Sequence, residues 1–359
     1  MIIDAHEDIA YNALSGKRDF SRTAAETRAA EQSIAQPYGL CTMSLPDLLA
    51  GGTGLVFATI FTLPAATTLD VPGLVYHAVA EAHQQGVQQL NYYRTLAERD
   101  DVRIITSRAE LAAHHAAWQA YEAGTTAHTP GLGLLILMEN AEPIRTPNEA
   151  AWWQAQGVRI IGPAWQATRY CGGTRQPGPL TVLGRDLLQT MEQVGLILDT
   201  SHFAEESFWQ ALDLFGGTVI ASHSNCRRFV SEAIADRHLS DEMIKALIAR
   251  DAVIGMVLYD LFLVDSYQKG QPKASIGLDA VLRHIDHICQ IAGSTRHIGI
   301  GSDFDGGFGS ESIPRELDTA ADLPRIAEAL LAHGYSQSDV DGMMGGNWLR
   351  VLERGLPEQ

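Results

Sequence analysis

Several apolar runs in this chain stop at side chains able to hold a metal ion. MIIDAHED carries His6 and Asp8 two residues apart, LLILME ends at Glu139, LILDTSH at His202, VIASH at His223 and IGIGSD at Asp303. Three imidazoles and three carboxylates suit borderline divalent metals, with Zn²⁺ the best match. A single catalytic zinc keeps one of its four positions open for water, so six ligands are more than one ion needs. Two ions about 3.5–4 Å apart, bridged by a carboxylate, use the whole set. The chemistry of such a pair is hydrolysis by a water made acidic near neutral pH.

The side chains of a strand alternate, so His6 and Asp8 point the same way and can share one ion. By the same rule Asp4 shares the inward face with His6, and Asp305 shares one with Asp303. Each of these two is a ligand, a hydrogen-bond acceptor for a ligand or a buried structural carboxylate, and spacing does not rank Asp303 above Asp305. Asp199, three residues before His202, reads as an orienting group. Taken singly, a His or Asp at a strand end is more often a cap or a satisfied core group. Polar endings on five runs at once favour a shared site. His114, His115, His284 and His333 fall on expected helices or loops and read as solvated.

Converging these residues requires elements that bring distant strand ends to one face. Eight β-rich runs, at 2–6, 54–61, 132–139, 158–165, 196–202, 218–223, 252–259 and 297–303, are separated by amphipathic stretches. Helices are expected at 75–99, 185–194, 205–215, 240–249, 317–332 and 336–354, with Ser240 and Ser336 as caps. A short ninth run at 102–106 is expected outside the barrel. This alternation predicts an α/β fold of the (β/α)₈ TIM type, a metal-dependent hydrolase with its site at the strands' C-terminal ends. An open doubly wound sheet is the alternative. The chain is read as one domain over residues 1–359. Trp165 and Tyr259, each ending a run, are candidates for contact with substrate. The Gly- and Arg-bearing loop 168–179 is the candidate for covering it.

Composition removes other classes. The 19% charged and 46% hydrophobic fractions are those of a globular protein. A formal net charge of −17 argues against nucleic acid, whose phosphates it would repel. The opening residues lack the basic and apolar regions of a signal peptide, and no apolar stretch is long enough to span a bilayer. Cys41, Cys171, Cys226 and Cys289 lie far apart and read as reduced thiols of a cytoplasmic protein. A homodimer is compatible with this composition.

These segments resemble, in order along nearly the whole chain, the membrane (renal) dipeptidase family of amidohydrolase-like barrels. DAHEDIAYN resembles its opening D-x-H-x-D, SLPDLLAGGTGLVFATIF its second-strand segment and LMEN the place of its bridging glutamate. GPLTVLGRDLLQTMEQVGLILDTSH and ASHSN are similar to the segments carrying its two distal histidines, GIGSDFDGG to its last metal-site aspartate and GGNWLRVLE to its closing helix. The resemblance implies His6, Asp8 and Asp303 around one metal, His202 and His223 on the other, and Glu139 between them. It also implies that Asp303 transfers the proton and that Arg237, in ADRHLSDEMI, binds the free carboxylate of a dipeptide. Trp165 stands where the animal enzymes have a histidine near the scissile carbonyl, which puts the stabilisation of the oxyanion in question. Arg169 and Arg175, in the loop beyond, are either an attraction for acidic side chains or solvated. The expected reaction is hydrolysis of L,L- and L,D-dipeptides. Hydrolysis of N-acyl amino acids, lactones or cyclic amides on the same metals, or a binding role without catalysis, are the alternatives.

Overall fold

The computed structural model describes residues 1–32, 39–67 and 74–359. Eight parallel strands follow one another around a ring: β1 (Ile2–Glu7), β2 (Thr53–Phe61), β3 (Leu132–Glu139), β4 (Val158–Gly162), β5 (Ile197–Asp199), β6 (Val219–Ile220), β7 (Ile254–Met256) and β8 (Ile298–Ile300). β8 pairs back onto β1, and the ring closes where Ala221 bridges to Ile254. At that seam Gly255 N–H donates to the Ala221 carbonyl and Ser224 N–H to that of Gly255, both at 2.8 Å. A Cβ on Gly255 would stand 1.9 Å from the Ser222 carbonyl oxygen, so only glycine lets the backbones approach. This is the barrel expected from the sequence, not the open sheet.

The run LGLLILME of β3 has no polar alternation because both faces are covered. Leu134, Ile136 and Met138 join the larger core with helix residues such as Leu90, Leu187 and Phe208. Leu135 and Leu137 join Ile3, Leu55, Phe57, Ile160, Ile197 and Ile220, a cluster drawn from successive strands that can meet only inside the ring. The C-terminal helix Asn347–Gly355 adds Trp348, Val351 and Leu352 to that interior. It approaches near the strand starts, with Gly355 against Ile197 and Thr218. The interior is therefore a packed plug rather than a pore.

Several expected boundaries shift. Five strands end earlier than the apolar runs suggest, at Gly162, Asp199, Ile220, Met256 and Ile300. Val102–Ile104 lies off the ring, as expected, but is hydrogen-bonded into the same sheet along the first half of β3. The helix expected at 75–99 begins at Val79, because Val75–Tyr76 pairs with Leu63–Pro64. The closing helix is interrupted by a π turn at Gly342–Gly346. Ser240 and Ser336 do cap their helices, accepting from Met243 and Asp339 N–H. Two histidines read as solvated are buried instead: His114 meets the Gly54 carbonyl, and His284 accepts from Cys226 N–H while facing the Leu263 carbonyl. Backbone groups meet both ring nitrogens of His284 but only Nε2 of His114, whose Nδ1 is buried without a partner. Among the described residues all four cysteines are free thiols, and no helix is long and apolar enough to cross a membrane.

Candidate metal centre

A bulge in β1 sets the first part of the site. Asp4 and Glu7 pair with Val56 and Ala58, so three residue steps of β1 face two of β2. The extra residue reverses the alternation. Asp4 and Glu7 both fall on the side of Val56 and Ala58, which belong to the outer core, whereas His6 comes inward. Asp4 therefore does not share a face with His6, contrary to the period-two expectation. Asp4 Oδ1 accepts from Ser302 N–H at 2.8 Å, and Ser302 Oγ–H donates to Glu7 at 3.2 Å, which ties β1 to the turn carrying Asp303. Asp8 lies just past the strand, where Thr59 Oγ–H donates to its carboxylate.

Trp165, His202, His223, Tyr259 and Asp303 each stand three residues beyond the last residue of a strand. The backbone leaves the ladder first and then turns its side chains over the mouth of the barrel. His202 and Asp303 have φ of 67° and 60°, a left-handed conformation that costs about 1–3 kcal/mol in a residue with a Cβ. Asp305 also has a positive φ, but it looks away from the centre. It accepts from Thr42 N–H and Oγ–H at 2.7 Å and pairs with Arg18 at 3.2 Å. Tertiary contacts thus separate the two aspartates that spacing could not.

His6, Asp8, Glu139, His202, His223 and Asp303 come together. Ligand atoms of His6, His223 and Asp303, of Glu139, His202 and His223, and of His6, Asp8 and Glu139 each lie within 4.8 Å of one another. One oxygen of Glu139 is 3.0 Å from His202 Nε2 and 3.4 Å from His223 Nε2, while the other is 3.5 Å from His6 Nε2. The carboxylate spans the two histidine groups. Ser222 Oγ–H donates to Asp199, so His223 Nδ1–H must donate to Ser222 Oγ at 2.8 Å, leaving the Nε2 lone pair facing the centre. Thr174 Oγ meets His202 Nδ1 at 3.0 Å and permits the same tautomer there. The two Nε2 atoms are then 2.9 Å apart, and both ring nitrogens of His6 are buried without a hydrogen-bond partner. Lone pairs converging in a buried space, with no proton to share, are what a divalent cation satisfies.

The charges agree with that reading. Burial resists protonation of His6, yet Glu139, Asp303 and Asp8 together hold its pKa up to about 10. Burial and the Arg237 charge push His202 down to about 4, and burial holds His223 well below the usual value. Burial raises Asp303 well above the ordinary range and Asp8 to about 6, with Glu139 adding to both. Burial works against ionised Glu139 too, but the three histidines keep it well below. Without a cation the set cannot hold all its carboxylates ionised and all its imidazoles neutral; with cations both follow.

The centre opens into a cavity of about 420 Å³. Arg237 lines it, almost fully buried, with Nη2 donating to the His223 carbonyl at 2.8 Å and Cζ 5.4 Å from the Phe262 ring. Among the described residues it has no carboxylate partner within ion-pair distance, and its Nε is unsatisfied. Tyr259 stacks on Phe308 at 4.3 Å, and Trp165 packs edge-on against Phe61 at 5.2 Å, 6.5 Å from the His202 ring. The two loop arginines part company. Arg169 is held by Glu142 and by the Ile144 carbonyl, whereas Arg175 is exposed and lines the cavity. Thr174, Ser222, Ser302 and Gln166 escaped sequence reasoning, because serine, threonine and glutamine in loops carry no periodic signal. Only Asp199 among the orienting groups was foreseeable.

Residues 1–355 match the membrane dipeptidase family, peptidase family M19. A Klebsiella pneumoniae protein named only for its place in the pqqA 5′ region is 33% identical over 208 residues, which cover 55% of this chain and 73% of that protein. Dipeptidase tcpJ of Claviceps purpurea is 27% identical over 86% of this chain and 68% of its own length. Among solved structures, a Rhodobacter sphaeroides metallopeptidase bound to a phosphinate mimic of L-Ala-D-Ala superposes with a TM-score of 0.77 at 23% identity, covering 99% of each chain. The probable dipeptidase PvdM of Pseudomonas aeruginosa superposes with a TM-score of 0.78 at 18% identity, covering 99% of this chain and 95% of that one. The fold is that of these barrels, and with the family matched over nearly every residue, the chain belongs to the membrane dipeptidases and is a metal-dependent hydrolase of peptide bonds.

Proposed function

We propose that this protein is a binuclear dipeptidase, with zinc the best match for its donors, that cleaves L,L- and L,D-dipeptides. His6, Asp8 and Asp303 hold one ion, His202 and His223 the other, and Glu139 lies between. Two cations held by these residues would lower the pKa of water, the chemistry that makes a nucleophile available near neutral pH. Asp303, which lines the cavity, takes the proton of the attacking water on a carboxylate oxygen and returns it to the leaving nitrogen. Arg237 binds the substrate's free carboxylate, while Trp165 and Tyr259 flank the chain between its ends. The phosphinate that mimics L-Ala-D-Ala in the Rhodobacter relative supports an L,D substrate. Reduced cysteines support a cytoplasmic location, and a homodimer is compatible with the surface.

The observation that carries this reading is Arg237. A buried guanidinium with an unsatisfied Nε, opening into the cavity beside the six ligands, asks for an anion that none of the described residues provides. Arg237→Ala should cost about 2–5 kcal/mol in kcat/KM for a dipeptide, the usual cost of unpairing a buried charge, and little for its C-terminal amide. Arg237→Lys should restore only part, since an ammonium cannot make paired bonds. Equal wild-type rates on acid and amide would refute dipeptide recognition and favour a broader amidohydrolase. Screening L,L and L,D dipeptides on the same enzyme settles the stereochemical claim.

A further inference from the structure

The charges lining the cavity divide by whether they have a partner. Of the carboxylates, Asp8, Glu139 and Asp303 belong to the metal centre, and Asp305 pairs with Arg18. The cations are Arg237, Arg175 and Lys269, and among the described residues none has a carboxylate within ion-pair distance. Arg237 is assigned to the terminal carboxylate of a dipeptide. Arg175 and Lys269 are exposed, so they stand at the rim, and their head groups donate to no described residue. Most of the remaining wall is apolar, from residues such as Phe61, Leu63, Ile234, Leu261 and Phe308. A cavity lined in this way has a place for a second anion and none for a second cation.

Arg175 projects from a clamped turn. Gly173 and Gln176 exchange N–H···O=C bonds of 3.0 Å around it. Thr174 N–H donates to the Trp165 carbonyl at 3.0 Å, Thr174 Oγ meets His202 Nδ1 at 3.0 Å, and Arg175 N–H donates to Asp236 Oδ2 at 2.5 Å. Arg175 itself has a φ of 60°, a conformation imposed by these contacts rather than by its own preference. The Asp236 bond sets the turn beside Arg237, the next residue in the chain. A dipeptide whose terminal carboxylate sits on Arg237 then brings the side chain of that same residue nearest to Arg175. Resting on the dipeptidase reading above, we propose that Arg175, with Lys269 adding to the local charge, is a specificity-determining residue that binds an acidic side chain at the C-terminal position, so that dipeptides ending in aspartate or glutamate are preferred. A basic side chain there meets two like charges and no free carboxylate among the described residues. The chain as a whole, at a formal −17, repels an anionic dipeptide, and cations at the cavity mouth reverse that field where the substrate enters.

The test measures kcat and KM of the metal-loaded enzyme on the near-isosteric pair Ala-Glu and Ala-Gln, with the second residue in each configuration. The wild-type enzyme should prefer the glutamate dipeptide by about tenfold or more in kcat/KM, mostly through KM. Raising the salt to about 1 M, where the screening length falls to about 3 Å, should erase most of that preference. Arg175→Gln should remove most of it, Lys269→Gln part of it, and Arg175→Lys should retain much of it as a point charge. Arg175→Glu should turn the preference toward Ala-Lys. Affinity for a phosphinate mimic of Ala-Glu should follow the same order without turnover, with Tm and metal content measured on the same samples. Equal wild-type kcat/KM on Ala-Glu and Ala-Gln would overturn the proposal while leaving the dipeptidase reading intact. Equal losses on both in Arg175→Gln would also overturn it and make Arg175 a structural part of the turn that carries Thr174. A preference for Glu-Ala over Gln-Ala that depends on Arg175 would overturn the C-terminal placement. If the wild-type enzyme hydrolyses no dipeptide of either kind, the underlying reading fails before specificity is at issue.

Discussion

Asp303 shows how much one residue's surroundings decide. It sits at a positive φ, its carboxylate 3.9 Å from His6 Nε2, while Asp305 two positions later is consumed by Arg18 and Thr42. Its carboxylate lines the cavity, the position that the proposed proton transfer requires. Asp303→Asn should lower turnover by about 10²–10⁴-fold, the range of a general acid–base contribution. Because Asp303 is also placed to hold an ion, metal must be quantified on the same preparation. Near-normal turnover at full metal occupancy would remove it from proton transfer.

At the scale of elements, the site is built from strand exits rather than strands. The bulge in β1 brings His6 inward, and the short turn Asp260–Phe262 beyond β7 carries Phe262 to the cavity wall with Tyr259 just before it. That turn contains Asp260, buried with an unpartnered Oδ1, whose pKa burial pushes up to about 7 while Lys273 pulls it down. A carboxyl raised above its unfolded value near 3.9 binds its proton more tightly in the fold. The contribution of Asp260 to stability is then greatest below about pH 4, falls as pH rises toward 7 and stays reduced above it. At about 1.4 kcal/mol per pKa unit the penalty is on the order of 2–4 kcal/mol. Asp260→Asn should raise Tm by several degrees at pH 8 and by much less at pH 4. Thermal melts showing no gain at pH 8, or the same gain at both pH values, would contradict this account.

Over the whole molecule, a ring of parallel strands closed at Gly255 and plugged by Trp348 supports six buried, mutually charged side chains at one end. That arrangement is costly without cations, so binding should contribute directly to folding stability. Elemental analysis of protein purified without chelator should find about two divalent ions per chain. Stripping them should lower Tm, and restoring free metal to 100 times its Kd should return about 2.7 kcal/mol. A fully active protein holding a single ion would refute the binuclear reading.

The order of the apolar runs by itself determined an α/β architecture and favoured a closed barrel over an open sheet, and the closure at the β6–β7 seam was decided by the tertiary structure. Eight runs alternating with amphipathic helices have few ways to bury both faces of a parallel sheet, and a barrel brings their far ends together. For the same reason the sequence could nominate His6, Glu139, His202, His223 and Asp303, each at the end of an apolar run. It could not say where each strand stops, since Leu258 and Tyr259 are as β-prone as Met256 but lie beyond the last paired residue of the strand. It could not foresee the bulge that turns Asp4 outward, because alternation assumes an unbroken ladder. Nor could it show that His284 is core, that Arg169 belongs to Glu142 while Arg237 pairs with no carboxylate among the described residues, or that Gln166 lines the cavity. Periodicity records which face of an element is buried. Which buried polar group meets which partner depends on contacts between residues hundreds of positions apart, and only the closed fold brings those together.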